Sequence, residues 1–117
     1  MEKDNIILKK SFDFALQIIE FSEMLEEAKK FIIAKQLLKS GTSIGANVRE
    51  AQNAESRADF IHKMKIALKE AEETEYWLLL CKHSKNYPFK ENIMEEIKEM
   101  LKLLNSIIHT ANVNKKQ

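Results

Sequence analysis

Three histidines and one cysteine are the residues of this 117-residue chain best suited to catalysis or metal binding, and their spacing argues against both. Asp59 and His62 stand three apart, a helical spacing that can turn a carboxylate and an imidazole toward one metal ion. A di-iron bundle needs such a pair twice, with a glutamate from each of two further helices. The motif does not recur, and Asp59 suits the first turn of a helix better. Cys81 and His83, two apart, point to different faces of a helix, and neither His83 nor His109 has a carboxylate at a recurring ligand spacing. The chain is therefore expected to be non-enzymatic, with no catalytic residue, cofactor or metal.

The remaining chemistry is ionic. Between residues 31 and 49 the chain carries Lys35, Lys39 and Arg49 and no acid, and a helical projection turns all three outward together with Thr42 and Asn53. Lys35, Lys39, Arg49 and Asn53 are thus the candidate RNA-binding residues. No aromatic platform is expected on that face, so contact with the phosphates or shape of structured RNA is favoured over reading of bases. The whole chain offers little global attraction to a polyanion, since 19 basic side chains face 18 acidic ones. The stretch "GTSIGANVREA", residues 41–51, is no phosphate loop, because no Gly-Lys-Ser/Thr follows and no strand precedes it.

Helices must position these groups. Two glycines and one proline leave little vocabulary for hairpins, whereas Lys, Glu, Leu, Ile and Ala abound. Apolar periodicity predicts four amphipathic helices at about 4–25, 29–54, 57–84 and 89–113. Their core stripes read Leu8, Phe12, Ala15, Leu16 and Ile19; Ile33, Leu37, Ile44, Val48 and Ala51; Phe60, Met64, Ala67, Ala71, Thr74 and Leu78; and Ile93, Ile97, Leu101, Leu104, Ile108 and Ala111. Ser56 with Asp59 three residues later marks a helix start, and Pro88 fits another. Short connections favour a single all-α domain, residues 1–117, built as an antiparallel up-down-up-down four-helix bundle. No apolar run reaches the roughly 18 residues of a membrane span and no signal peptide is evident, so no membrane association and a cytoplasmic location are expected.

Within the second helix, Gly41 and Gly45 fall four apart on one edge of the stripe, where missing side chains admit a neighbouring backbone. The other edge holds Gln36, Ser40, Ser43, Asn47 and Glu50, with Glu70, Glu73 and Trp77 as candidate partners in the third helix. A polar network fixing helix register is the expected role, with a glutamate opposite Asn47.

The first helix has a second apolar stripe, Ile7, Phe14, Ile18, Phe21 and Leu25, with alternating spacing. A small bundle buries one helix face, so this stripe and Trp77 are expected to form a homo-oligomer interface. A protein-binding scaffold is the competing reading, recognisable by apolar surface left exposed after assembly.

"QLLKSGTSIGANVREA" followed by "SRADFIHKMKIALKEAEETEYWL" resembles the bacterial four-helix-bundle family first known from proteins encoded in intervening sequences of 23S rRNA genes. The matching residues are Gln36, Leu37, Ser40, Ser43, Ile44, Asn47, Val48 and Glu50, then Phe60, Ile66, Ala67, Glu73 and Leu78. Ala51 replaces a frequent Gly, and Lys69-Glu70 a Gly-Ser pair. The resemblance implies an all-α bundle assembling as a ring, typically a homopentamer, without established catalysis. Related bundles act as accessory partners of reverse transcriptases in diversity-generating retroelements, which implies structured RNA such as rRNA, or a protein that handles nucleic acid, as partner.

Overall fold

The computed structural model describes residues 2–115, and four helices account for nearly all of them: α1 (Glu2–Glu27), α2 (Phe31–Ala51), α3 (Arg57–His83) and α4 (Glu91–Lys115). Each helix packs against its neighbour in sequence and α1 closes against α4, while the backbones of the diagonal pairs stay farther apart among the described residues. The result is an antiparallel four-helix bundle, 51 × 21 × 20 Å, of up-down-up-down topology.

The helix ends follow from local chemistry. Lys29 adopts a left-handed backbone (φ 65°), its N–H donates to the Glu26 carbonyl at 2.8 Å, and the Lys30 N–H reaches back to the Leu25 carbonyl at 2.8 Å. These two bonds are a Schellman motif built without glycine. The strain of lysine at this position hides the turn from a composition-based reading, and α2 begins at Phe31 rather than at residue 29. Ser56 caps α3, its Oγ accepting from the Asp59 N–H at 3.0 Å, while the Asp59 carboxylate accepts from the Glu55 N–H at 3.1 Å. Pro88 lies before α4, not inside its first turn: residues 87–90 run without regular structure, and the helix opens at Glu91. Asn86, also left-handed (φ 65°), turns the chain there. The predicted end of α2 at residue 54 shortens to Ala51, because Gln52, Asn53 and Ala54 donate to carbonyls three residues back.

The largest correction concerns α1. Ile7, Phe14, Ile18, Phe21 and Leu25, expected at an interface between subunits, are wholly buried inside the subunit. The expected core stripe lies outside: Phe12 is 56%, Leu16 50% and Ile19 42% exposed, with Leu8 and Ala15 half-buried. Two causes select the buried face. It runs from residue 7 to residue 25, nearly the length of the helix, and each large side chain it buries contributes about 1.5–3 kcal/mol. It also brings Ile18 and Ser11 against the glycines of α2. A Cβ on Gly41 would stand 2.8 Å from both Ile18 γ-carbons, and one on Gly45 3.3 Å from the Ser11 carbonyl oxygen.

The other core stripes lie close to their expected positions. Leu37, Ile44, Val48 and Ala51 are buried from α2, and Met64, Ala67, Ala71, Thr74 and Leu78 from α3. In α4, Met94, Met100 and Ile107 join Ile93, Ile97, Leu104, Ile108 and Ala111, while Leu101 is half-buried at the border.

Candidate nucleic-acid interface

Packing of the apolar side of α2 against α1 and α3 leaves Lys35, Lys39, Arg49 and Asn53 exposed. Arg49 and Lys35 have no ion-pair partner among the described residues. The charge of Lys39, like that of Lys69, works against the upward shift of the Glu70 carboxyl that burial, reinforced by Glu73, produces. The three cations are therefore one helix side with two aspects: Lys35 and Arg49 without an ion-pair partner among the described residues, and Lys39 within the electrostatic reach of Glu70.

On the α3 side of α2 the polar stripe divides. Among the described residues only Ser40 of this stripe bonds across the helix pair, its Oγ lying 2.9 Å from Thr74 Oγ1 in the buried core. Thr74 Oγ1 also lies 2.7 Å from the Glu70 carbonyl. A carbonyl only accepts and a hydroxyl has one proton, so Thr74 donates to Glu70 and the Ser40 hydroxyl donates to Thr74. Ser43 and Asn47 turn back on their own helix, the Ser43 hydroxyl donating to the Lys39 carbonyl at 2.6 Å and the Asn47 amide to the Ser43 carbonyl at 2.9 Å. No glutamate bonds Asn47 among the described residues. Glu73 instead accepts from the Trp77 indole N–H at 3.2 Å, which holds that half-buried ring against its own helix. Gln36 is half-buried and Glu50 exposed. The expected network thus reduces to one buried bond. Its essential partner, Thr74, appeared in the sequence only as a polar residue within an apolar stripe.

The α1 side of α2 holds what the sequence reading missed. Arg49 shares an open cleft of about 490 Å³ with Leu8, Lys9, Phe12, Gln52 and Asn53, and a smaller adjoining one of about 180 Å³ is floored by Ser11, Ala15, Thr42, Gly45 and Ala46. Phe12 and Arg49 line both. Lys9 is held at 2.8 Å by Asp13, whose hydrogen bond and charge raise the lysine's pKa. The basic face therefore has an exposed aromatic ring beside it, contrary to the expectation from α2 alone. The contact crosses two helices, and it requires the outward α1 face that periodicity had assigned to the core.

Other candidate groups are placed differently. Cys81 is buried in the core, and burial pushes its thiol up to about 11. His62, His83 and His109 are exposed, and Asp59 serves the start of α3. Among the described residues no group of three or more His, Cys, Asp or Glu side chains could hold a metal, and no helix is long and apolar enough to cross a membrane.

The 23S rRNA-intervening sequence protein family matches residues 3–107. Among solved structures, the chain is similar to a protein of unknown function from the S23 ribosomal protein family of Bacteroides thetaiotaomicron. The two are 50% identical, the match covers 92% of this chain and 98% of that one, and the TM-score is 0.86. No curated protein matches.

Proposed function

Because the chain belongs to the 23S rRNA-intervening sequence protein family, we propose that it is a non-enzymatic, self-assembling bundle that contacts structured RNA through the outer side of α2. The observation carrying this reading is that face itself: exposed Lys35 and Arg49 without ion-pair partners among the described residues, Lys39 beside them, and no acid from residue 31 to 49. Cations not neutralised within the fold are available to phosphates, and a symmetric assembly would repeat them on every subunit. Trp77 and its exposed neighbour Tyr76, whose rings lie 5.4 Å apart, offer α3 as the assembly surface now that the buried stripe of α1 is unavailable. Ring assembly as a pentamer is part of this proposal.

Salt-titrated binding of a structured rRNA fragment tests it, with the charge reversal Lys35→Glu, Lys39→Glu, Arg49→Glu. The wild-type protein binds saturably and more weakly as salt rises. The reversal lowers the slope of log affinity against log salt by about two to three for each subunit in contact. Affinity unchanged by the reversal would remove the RNA reading.

A second reading, an accessory scaffold for a nucleic-acid enzyme such as a reverse transcriptase, draws on Phe31 and Ile32, which are 59% and 79% exposed at the start of α2. Binding of that kind would survive the charge reversal.

A further inference from the structure

We infer that the cleft between the N-terminal half of α1 and the C-terminal end of α2 holds an unpaired nucleotide of the bound RNA, its base stacked on Phe12 and its phosphate on Arg49. The inference rests on the RNA reading and narrows it from phosphate contact to recognition of a single-stranded position.

Four features of the cleft fit that occupant. Phe12 is the aromatic residue that α1 leaves more than half exposed, and its ring borders both parts of the cleft. Arg49 lines the same surface as a cation with no acid bonded to it among the described residues, so it can engage a phosphate without breaking an ion pair. Asn53 and Gln52 stand at the same rim. The Gln52 amide N–H donates to the Val48 carbonyl at 3.0 Å, which leaves its oxygen without a hydrogen bond among the described residues, and Asn53 is exposed with its side-chain amide uncommitted among the described residues. Together they offer donors and acceptors suited to a base edge or a ribose hydroxyl. Finally, about 490 Å³ is within the range of small-ligand sites, while the openness of the cleft suits one residue of a longer strand.

A purely apolar occupant fits less well. It would bury Arg49 and Asn53 without partners, whereas a nucleotide supplies a stacking face, an anion and hydrogen-bonding edges at once. A duplex fits less well too, because its bases are already stacked and cannot reach Phe12.

The test compares a short fluorescent single-stranded RNA with the same strand annealed to its complement. Both are bound to the wild-type protein, Phe12→Leu and Phe12→Tyr, with the sedimentation of each variant followed in parallel. Leucine keeps the apolar volume and loses the ring; tyrosine keeps the ring. The single strand is expected to bind the wild type more tightly than the duplex. Phe12→Leu should weaken that binding by about tenfold, the loss of one stacked base, and leave the duplex unchanged, while Phe12→Tyr should retain it. Equal binding of both probes, indifferent to Phe12→Leu, overturns the inference and leaves the RNA reading standing. Binding of neither overturns both. A loss in Phe12→Leu that accompanies a change in sedimentation also overturns it, since Phe12 would then be an assembly contact.

Discussion

Two faces of α1 carry comparable apolar side chains and meet opposite fates. Ile7, Phe14, Ile18, Phe21 and Leu25 are sealed in the core, while Phe12, Leu16 and Ile19 remain about half in water. Length favours the first face, whose large side chains run from residue 7 to residue 25. The partner adds to that preference: α2 presents Gly41 and Gly45, and the first face brings a side chain and a stretch of backbone that fit against missing Cβ atoms. A helix with two apolar stripes is thus oriented by the length of the stripe and the shape of its neighbour, and the stripe left over becomes surface available for binding.

The sharpest way to break this comparison is to truncate one phenylalanine from each face. Phe14→Ala removes a fully buried ring and should destabilise the bundle by about 3–5 kcal/mol. Phe12→Ala removes a ring more than half exposed and should change stability by no more than about 1 kcal/mol. Chemical denaturation of the two variants measures the difference; equal losses would mean that both faces are buried in the protein as it exists in solution.

Gly41→Ala tests the selecting contact. Alanine gains about 1 kcal/mol of helix propensity, but its Cβ would meet the γ-carbons of Ile18 at 2.8 Å, and a β-branched side chain sealed in the core has few ways to retreat. Overpacking of about 1–3 kcal/mol should win, giving a net loss, and the Gly41→Ala, Ile18→Ala double variant should lose less than the sum of the two single losses. A thermal melt showing that Gly41→Ala alone stabilises the protein would refute the glycine contact as a cause of the chosen face.

These contacts explain which parts of the molecule were legible in its sequence. Four helices were legible because apolar residues recur with helical period and Ser56 with Asp59 announces α3. The glycine edge of α2 was legible because a helix carries glycine at a cost. The orientation of α1 was not, since periodicity identifies apolar faces without ranking them, and the error spread from there: a core stripe was assigned to an interface, and Phe12 to the core. The basic residues of α2 could be placed on the outside, but their aromatic neighbour could not, because the cleft around Arg49 exists only between two helices. Ser40 was singled out, yet its bond to Thr74 joins residues 34 apart and depends on an antiparallel register that neither helix encodes alone.

The smallest expected effect lies where α1 ends, and it sharpens the comparison because the turn sends α2 back along one face of α1. Lys29 holds φ at 65°, a conformation in which its Cβ crowds the following carbonyl, while two backbone bonds and the Lys30 ammonium 4.7 Å from the Tyr87 ring centre keep the chain in place. Glycine adopts this backbone without that penalty and preserves both hydrogen bonds, which use only main-chain atoms. It also enlarges the freedom of the unfolded chain, which offsets part of the gain. Lys29→Gly should therefore stabilise the bundle by about 0.5–1 kcal/mol, read as a small rise in denaturation midpoint without a change in slope. A loss of similar size would instead mean that the Lys29 side chain supports the turn through contacts of its own, and that the path from α1 to α2 depends on more than its backbone.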